Sequence, residues 1–414
     1  MKVLHNIGQL ATCRSEGGQG EIHAVDDAAL VWNEGAIVWA GPAAELPAQY
    51  LNAEQLDAGG RLVVPGLIDC HTHLAFAGWR AEEFEQRITG RSYLEIARGG
   101  GGIMATVRQT RAATEQELLD RAGRFLEEMV ALGITTVECK SGYGLDEATE
   151  LKLLRVYRRL ADEQPVRLLP TFLGAHVVPP EFRDNRSGYI DLLVERLMPR
   201  VAQDRLAECC DVFVEDSAFS VEEARHILRA AQRLGLRAKL HADQLTSVGG
   251  AELAAELGAV SADHLEHISD RGVAALAQAG VVAVSLPLAS VYLRQPAMPA
   301  RRLIAAGVPV AVATDFNPGS APSYHLPLAL TLACTLQGMT PGEALKGATI
   351  YAARALGLEQ EIGSLERGKS ADFALIDAPD VTHWLYHLRP NACLLTVARG
   401  VARWVAADRA SQPA

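Results

Sequence analysis

The sequence has little that would point to an extracellular, membrane-bound or nucleic-acid-bound setting. It has only seven cysteines in 414 residues, an odd count without a CxxC pair, and the adjacent Cys209 and Cys210 are poorly placed to bridge each other. A disulfide scaffold is excluded, and the thiols are expected to be reduced and mostly buried. The longest uncharged apolar stretch, 281–293, is interrupted by Pro287 and falls short of the roughly 20 residues a membrane span needs. The opening MKVLHNIGQLATC lacks the apolar segment of a secretory signal. There is no dense basic run: 39 Lys and Arg stand against 50 Asp and Glu, a formal charge of −11. Neither nucleic acid nor a membrane is an expected partner, and a cytoplasmic location is expected. Internal repeats and low-complexity segments are also missing.

The chain does have enough apolar material for a large core, being 49% hydrophobic with 36 Gly and 19 Pro. Eight short apolar, β-branched runs recur at 62–70, 134–139, 166–173, 211–215, 236–241, 259–264, 281–286 and 308–314. Between them lie stretches such as TEQELLDRAGRFLEEMVALG and SVEEARHILRAAQRLG, apolar at spacings of three and four and often closed by glycine. This alternation predicts an α/β fold, a (β/α)8 TIM-like barrel over 62–360. An open doubly wound sheet fits less well, because no GxGxxG follows the first strand. The flanks differ. ALVWNEGAIVWAG reads as a hairpin, and GSLERGKSADFALIDA and NACLLTVARGVARWVAA as further short strands. Neither flank can build a core alone, so 1–61 and 361–414 are expected to combine into a small composite β-sandwich domain.

The strongest local feature is the run VVPGLIDCHTH, in which His71 and His73 end the first barrel strand. Strand side chains alternate, so both imidazoles face one side and can hold one metal ion. Alone the pattern is weak, since twelve histidines produce a chance HxH in roughly one chain of three. Position strengthens it. His241 in AKLHAD, His264 in SADHLEH and Asp315 in VAVATDFNPGS end later strands, and a barrel gathers strand ends at its catalytic face. Imidazoles with one carboxylate and an open position suit a metal such as zinc or iron. Arg80, seven residues beyond His73, can offer a planar fork to a carboxylate. Asn317, Gly319 and Ser320 follow Asp315 in a loop able to present side-chain and backbone donors. Glu215 ends the fourth strand and could bridge a second metal, whereas Lys140 is wrongly placed for that job. The glycines at 99–102 form either a mobile cover or a slack connection.

The strings HTHLAFAGWR, ARGGGGI, ECKSGYGL, TFLGAH, LHADQ, SADHLEH and TDFNPGS, in this order over nearly the whole chain, resemble the amidohydrolase superfamily. They most resemble its branch that opens the ring of 4-imidazolone-5-propanoate to N-formimino-L-glutamate in histidine degradation. Another cyclic-amide hydrolase or aminohydrolase of the superfamily is the alternative. The resemblance implies one divalent or trivalent metal ion per subunit, zinc or iron, on His71, His73, His241 and Asp315. It also implies a small anionic substrate and a homodimer. Asp315 would take the proton of the attacking water and pass it to the leaving nitrogen. His264 is expected either to stabilise the oxyanion or to be a further ligand. Tyr143 and His176 would contact the bound ligand. Gln244 stands where some relatives carry Glu; a neutral amide cannot serve as a base, so ring binding is its expected role.

Overall fold

The computed structural model describes residues 1–91, 95, 101–164 and 166–407. The predicted runs become eight parallel strands in sequential order: β5 (Leu67–Asp69), β6 (Ile134–Lys140), β7 (Arg167–Ala175), β8 (Cys209–Val214), β9 (Arg237–Ala242), β10 (Ser261–His264), β11 (Val282–Ser285) and β12 (Val310–Val312). All seven residues of β6 are buried. Strands covered on both faces read as continuous apolar runs, which is why these were visible in the sequence. Each connection carries a helix that the local chemistry starts and stops. Thr114 with Glu117, Ser220 with Glu223 and Thr340 with Glu343 form capping boxes. Gly258, Gly280 and Gly338 end helices in the left-handed conformation.

The barrel is closed at the C-terminal ends of its strands by contacts between the first and last of them. Asp315 N donates to His71 O at 3.0 Å, and His73 N to Phe316 O at 2.8 Å. Below them the Thr314 hydroxyl donates to Asp69 Oδ2 at 2.6 Å. Closure brings Asp315 to the His-x-His pair, 242 residues earlier at its nearer member.

The first run, 62–70, is two strands rather than one. Its first part belongs to β4 (Glu54–Pro65), paired with β1 (Lys2–Ala11) and β13 (Phe373–Ile376) of the other sheet. Pro65 has no N–H with which to continue a ladder. At Gly66 a Cβ would lie 2.3 Å from Thr135 Oγ1, so only glycine lets the chain pass into the barrel.

The second sheet joins both ends of the chain. It runs β15 (Val401–Val405), β14 (Cys393–Ala398), β13, β4, β1, β2 (Ala24–Asn33), β3 (Ala36–Pro42). The expected hairpin is β2–β3, turning through Glu34 at φ 48° and Gly35 at φ 83°, the pair of positive values a two-residue turn demands. The sheet curls over its own core. Trp32 of β2 meets Phe373 of β13 edge-on at 5.1 Å and donates to Gly400 O at 3.0 Å. The residues of this mixed sheet share a hydrophobic core separate from the main one. All seven cysteines are free thiols, six buried and Cys334 partly so. Among the described residues no helix is long and apolar enough to cross a membrane. Of the glycine run 99–102, Gly99 and Gly100 lie outside the described residues; Gly102 N donates to Glu83 Oε1 at 2.8 Å.

Candidate metal centre and active site

The ends of β5, β9, β10 and β12 deliver His71, His73, His241, His264 and Asp315 to one buried spot. The His71 ring lies 5.5 Å from that of His73, 4.5 Å from that of His241 and 5.7 Å from that of His264. Asp315 Oδ1 is 3.5 Å from Nε2 of both His71 and His73. Two overlapping triads, His71–His73–Asp315 and His71–His241–His264, each have ligand atoms within 4.8 Å of one another. Nε2 of His71 and His241 and Nδ1 of His73 and His264 are buried without a hydrogen-bond partner. An unsatisfied buried polar atom costs about 1–3 kcal/mol, and unpaired imidazole nitrogens gathered beside a carboxylate fit the donor set of a metal site. The nitrogen and carboxylate donors suit a borderline divalent ion. His264 and Asp315 also sit at φ 80° and 56°, strained for residues with a side chain and typical of functional positions.

A ring of buried charge that sequence reasoning missed supports this cluster from below. Asp263 Oδ2 lies 2.7 Å from His71 Nδ1, and Asp211 Oδ2 lies 3.0 Å from His241 Nδ1. Lys140 Nζ binds Asp211 Oδ2 at 2.7 Å and Glu138 Oε1 at 2.8 Å, and is 3.5 Å from Asp263 Oδ2. Lys239 Nζ donates to Ser261 Oγ at 2.8 Å and stands 3.8 Å from Asp263 Oδ2. Lys140 is therefore neither a surface residue nor a metal bridge but the cation that joins both histidine-orienting carboxylates. Burial alone would raise the Asp211 carboxyl; the nearby His241 and Lys140 outweigh it and hold the group well below the usual range. Burial drives His241 down to about 3, leaving a neutral ring able to ligate. A sequence signal existed: Glu138 and Lys140, Lys239 and His241, and Ser261 and Asp263 are two apart on their strands, so each pair shares the inward face. Carboxylates behind ligand histidines fix the tautomer and ring orientation. Asp263→Asn should therefore weaken metal affinity by about 10- to 100-fold, read by chelator competition, with the far-ultraviolet spectrum unchanged.

The remaining predicted residues are placed as follows. Tyr143 is buried with its ring 5.7 Å from that of His73. Burial pushes its phenol well up, so it stays protonated and can donate. The His176 ring stacks on His73 at 5.3 Å, with Nδ1 3.1 Å from Gly142 O. Burial and the neighbouring His73 and His241 hold it neutral. Ser320 Oγ reaches Asp315 Oδ2 at 3.4 Å. Asn317 commits its side chain within the loop: Nδ2 donates to Asp315 O at 2.6 Å, and Oδ1 accepts from Gly319 N and Ser320 N at 2.8 Å. Arg80, half-buried, packs against Gly319, and its Nε is buried without a partner. Gln244 lies half-buried just beyond β9. Glu215 takes no part in the cluster; its Oε2 accepts from Leu245 N at 2.8 Å and Thr246 N at 3.2 Å, fastening that loop.

A barrel that gathers histidines and an aspartate at these strand ends defines a class. Residues 62–403 match the amidohydrolase family model. The fold alone is shared with solved structures of low identity. An adenosine deaminase from Xanthomonas campestris with bound zinc superimposes with a TM-score of 0.72 at 19% identity, covering 98% of this chain and 93% of that one. A 5-methylcytosine deaminase from Klebsiella pneumoniae gives a TM-score of 0.74 at 18% identity, covering 98% of each. The chain belongs to the amidohydrolase family. Full-length relatives are more particular: an imidazolonepropionase of Symbiobacterium thermophilum is 48% identical over 407 residues, 96% of each chain. One from Shewanella sp. (strain ANA-3) is 48% identical over 379 residues, 91% of this chain and 93% of its own. Its place in the family is thus among the imidazolonepropionases.

Proposed function

We propose that this protein hydrolyses the ring amide of 4-imidazolone-5-propanoate to N-formimino-L-glutamate, using one metal ion, zinc or iron, held by His71, His73, His241 and Asp315. The single observation that carries the reading is the pairing of full-length imidazolonepropionase relatives with a buried, unsatisfied histidine–aspartate cluster at the strand ends. When bound, the metal supplies Lewis acidity, polarising the ring carbonyl and making water a competent nucleophile near neutral pH. Asp315 accepts the proton of the attacking water and returns it to the departing ring nitrogen. The Ser320 hydroxyl at its Oδ2 orients that carboxylate. His264 donates to the carbonyl oxygen as charge develops there. Tyr143, His176 and Gln244 hydrogen-bond the planar polar ring, Arg80 grips the propanoate, and Asn317 keeps Gly319 and Ser320 in place. The barrel, which begins at Leu67 rather than at 62, carries all of this chemistry on a frame completed by the two ends of the chain. The working form is a cytoplasmic homodimer. Ultraviolet loss of imidazolonepropanoate, with metal analysis of the same sample, tests the reading; turnover of guanine or hydantoins instead would overturn it.

The Arg80 assignment has its own expected result. Its buried, unpaired Nε asks for an acceptor. A charge-assisted contact is worth about 1.5–3 kcal/mol, so Arg80→Ala should cost about 10- to 150-fold in kcat/KM with metal content unchanged. Arg80→Lys should rescue only part, lacking the planar fork. Equal losses on the propanoate and on its neutral propanamide analogue would disprove the anchor.

A further inference from the structure

The glycine beside this arginine is fastened at both backbone groups. Gly319 N donates to Asn317 Oδ1 at 2.8 Å, and Gly319 O accepts from Arg87 Nη2 at 2.9 Å. The N–H is committed within the loop, and the carbonyl is held by Arg87. A Cβ at Gly319, however, would lie 1.0 Å from Arg80 Nη2, 2.0 Å from Cζ and 2.6 Å from Nε. The guanidinium lies flat in the volume a side chain would take. The surroundings are braced: Arg87, which holds the Gly319 carbonyl, stacks 4.9 Å over the Tyr292 ring, and Phe84 stacks on the same ring at 5.3 Å. Arg87 and Phe84 belong to the helix Ala81–Ile88 that Arg80 immediately precedes.

We propose that Gly319 is a positioning residue which, by carrying no side chain, leaves the slot that Arg80 fills and so sets the direction in which the guanidinium meets the substrate's carboxylate. This rests on the reading of Arg80 as the carboxylate anchor. Gly319 does not lie at positive φ, so alanine fits the backbone there. What must give way is the far end of a flexible side chain, which moves cheaply. Gly319→Ala therefore leaves the fold intact and displaces Arg80.

The test combines structure and kinetics on the metal-loaded enzyme. A crystal structure of Gly319→Ala should show the guanidinium moved out of the slot, with metal content as in the parent and the unfolding midpoint shifted by no more than about 3 °C. On imidazolonepropanoate kcat/KM should fall by about 10- to 100-fold, as for Arg80→Ala, and on the propanamide analogue by less than about threefold. The double variant Gly319→Ala/Arg80→Ala, which has no clash to relieve, should be no worse than Arg80→Ala alone. Full activity of Gly319→Ala, an unmoved Arg80, or single losses that multiply in the double variant would each overturn the inference while leaving the anchor intact. An Arg80→Ala variant indifferent to the carboxylate would instead bring down the anchor reading and the specificity claim with it.

Discussion

Replacing His73 by alanine should abolish turnover while leaving a folded barrel that binds little metal. His73 contributes one imidazole to the triad with His71 and Asp315, and the loss of one ligand weakens an affinity that depends on all of them. The fold does not depend on it in the same way. The strands beneath are held by apolar packing and parallel ladders, and removing a ring with a buried unsatisfied nitrogen also removes a cost. The expected results are activity below detection, a metal-to-protein ratio well under that of the parent, and an unchanged far-ultraviolet spectrum. Near-parental activity with a full complement of metal would show that the centre lies elsewhere.

Asp315→Asn should act on the chemical step more than on the site. Asparagine has the shape of the carboxylate and tolerates the left-handed backbone at φ 56° better than most residues. The seam contacts made by the main chain, such as Asp315 N to His71 O, should persist. An amide cannot take a proton from water, so kcat should drop by about 10²- to 10⁴-fold. Burial opposes ionisation of Asp315, but His71 and His73 outweigh it and hold the carboxyl well below its ordinary range. A depressed value means the carboxylate form persists down to low pH, so the parent should keep its base across the neutral range. Metal content is expected to fall only partly. If the variant keeps the parent's rate and pH profile, Asp315 is not the base.

Much of this protein was legible in the chain because the governing effects are local. A strand buried on both faces needs an unbroken apolar run, and the capping boxes at Thr114, Ser220 and Thr340 lie within four residues of themselves. The period of two puts His71 and His73 on one side of the strand. The same period held the clue to Lys140 and Lys239, but a lysine inside a strand says nothing of its partners on other strands until the barrel brings Asp211 to Lys140 and Asp263 to both lysines. The break at Pro65–Gly66 was hidden for a similar reason: both halves of 62–70 are β-prone, and only the pairing partners tell them apart.

The sequence by itself determined the eight β-prone runs, their order, the histidine pair and the residue types offered as ligands. Barrel closure decided the rest. It set Asp315 Oδ1 3.5 Å from His71 and His73, stacked His176 on His73, and laid Arg80 in the hollow over Gly319. Those contacts join residues more than a hundred positions apart. Propensity and periodicity act over a few residues, whereas the distance between two strand ends is set by the twist, tilt and seam of the whole sheet.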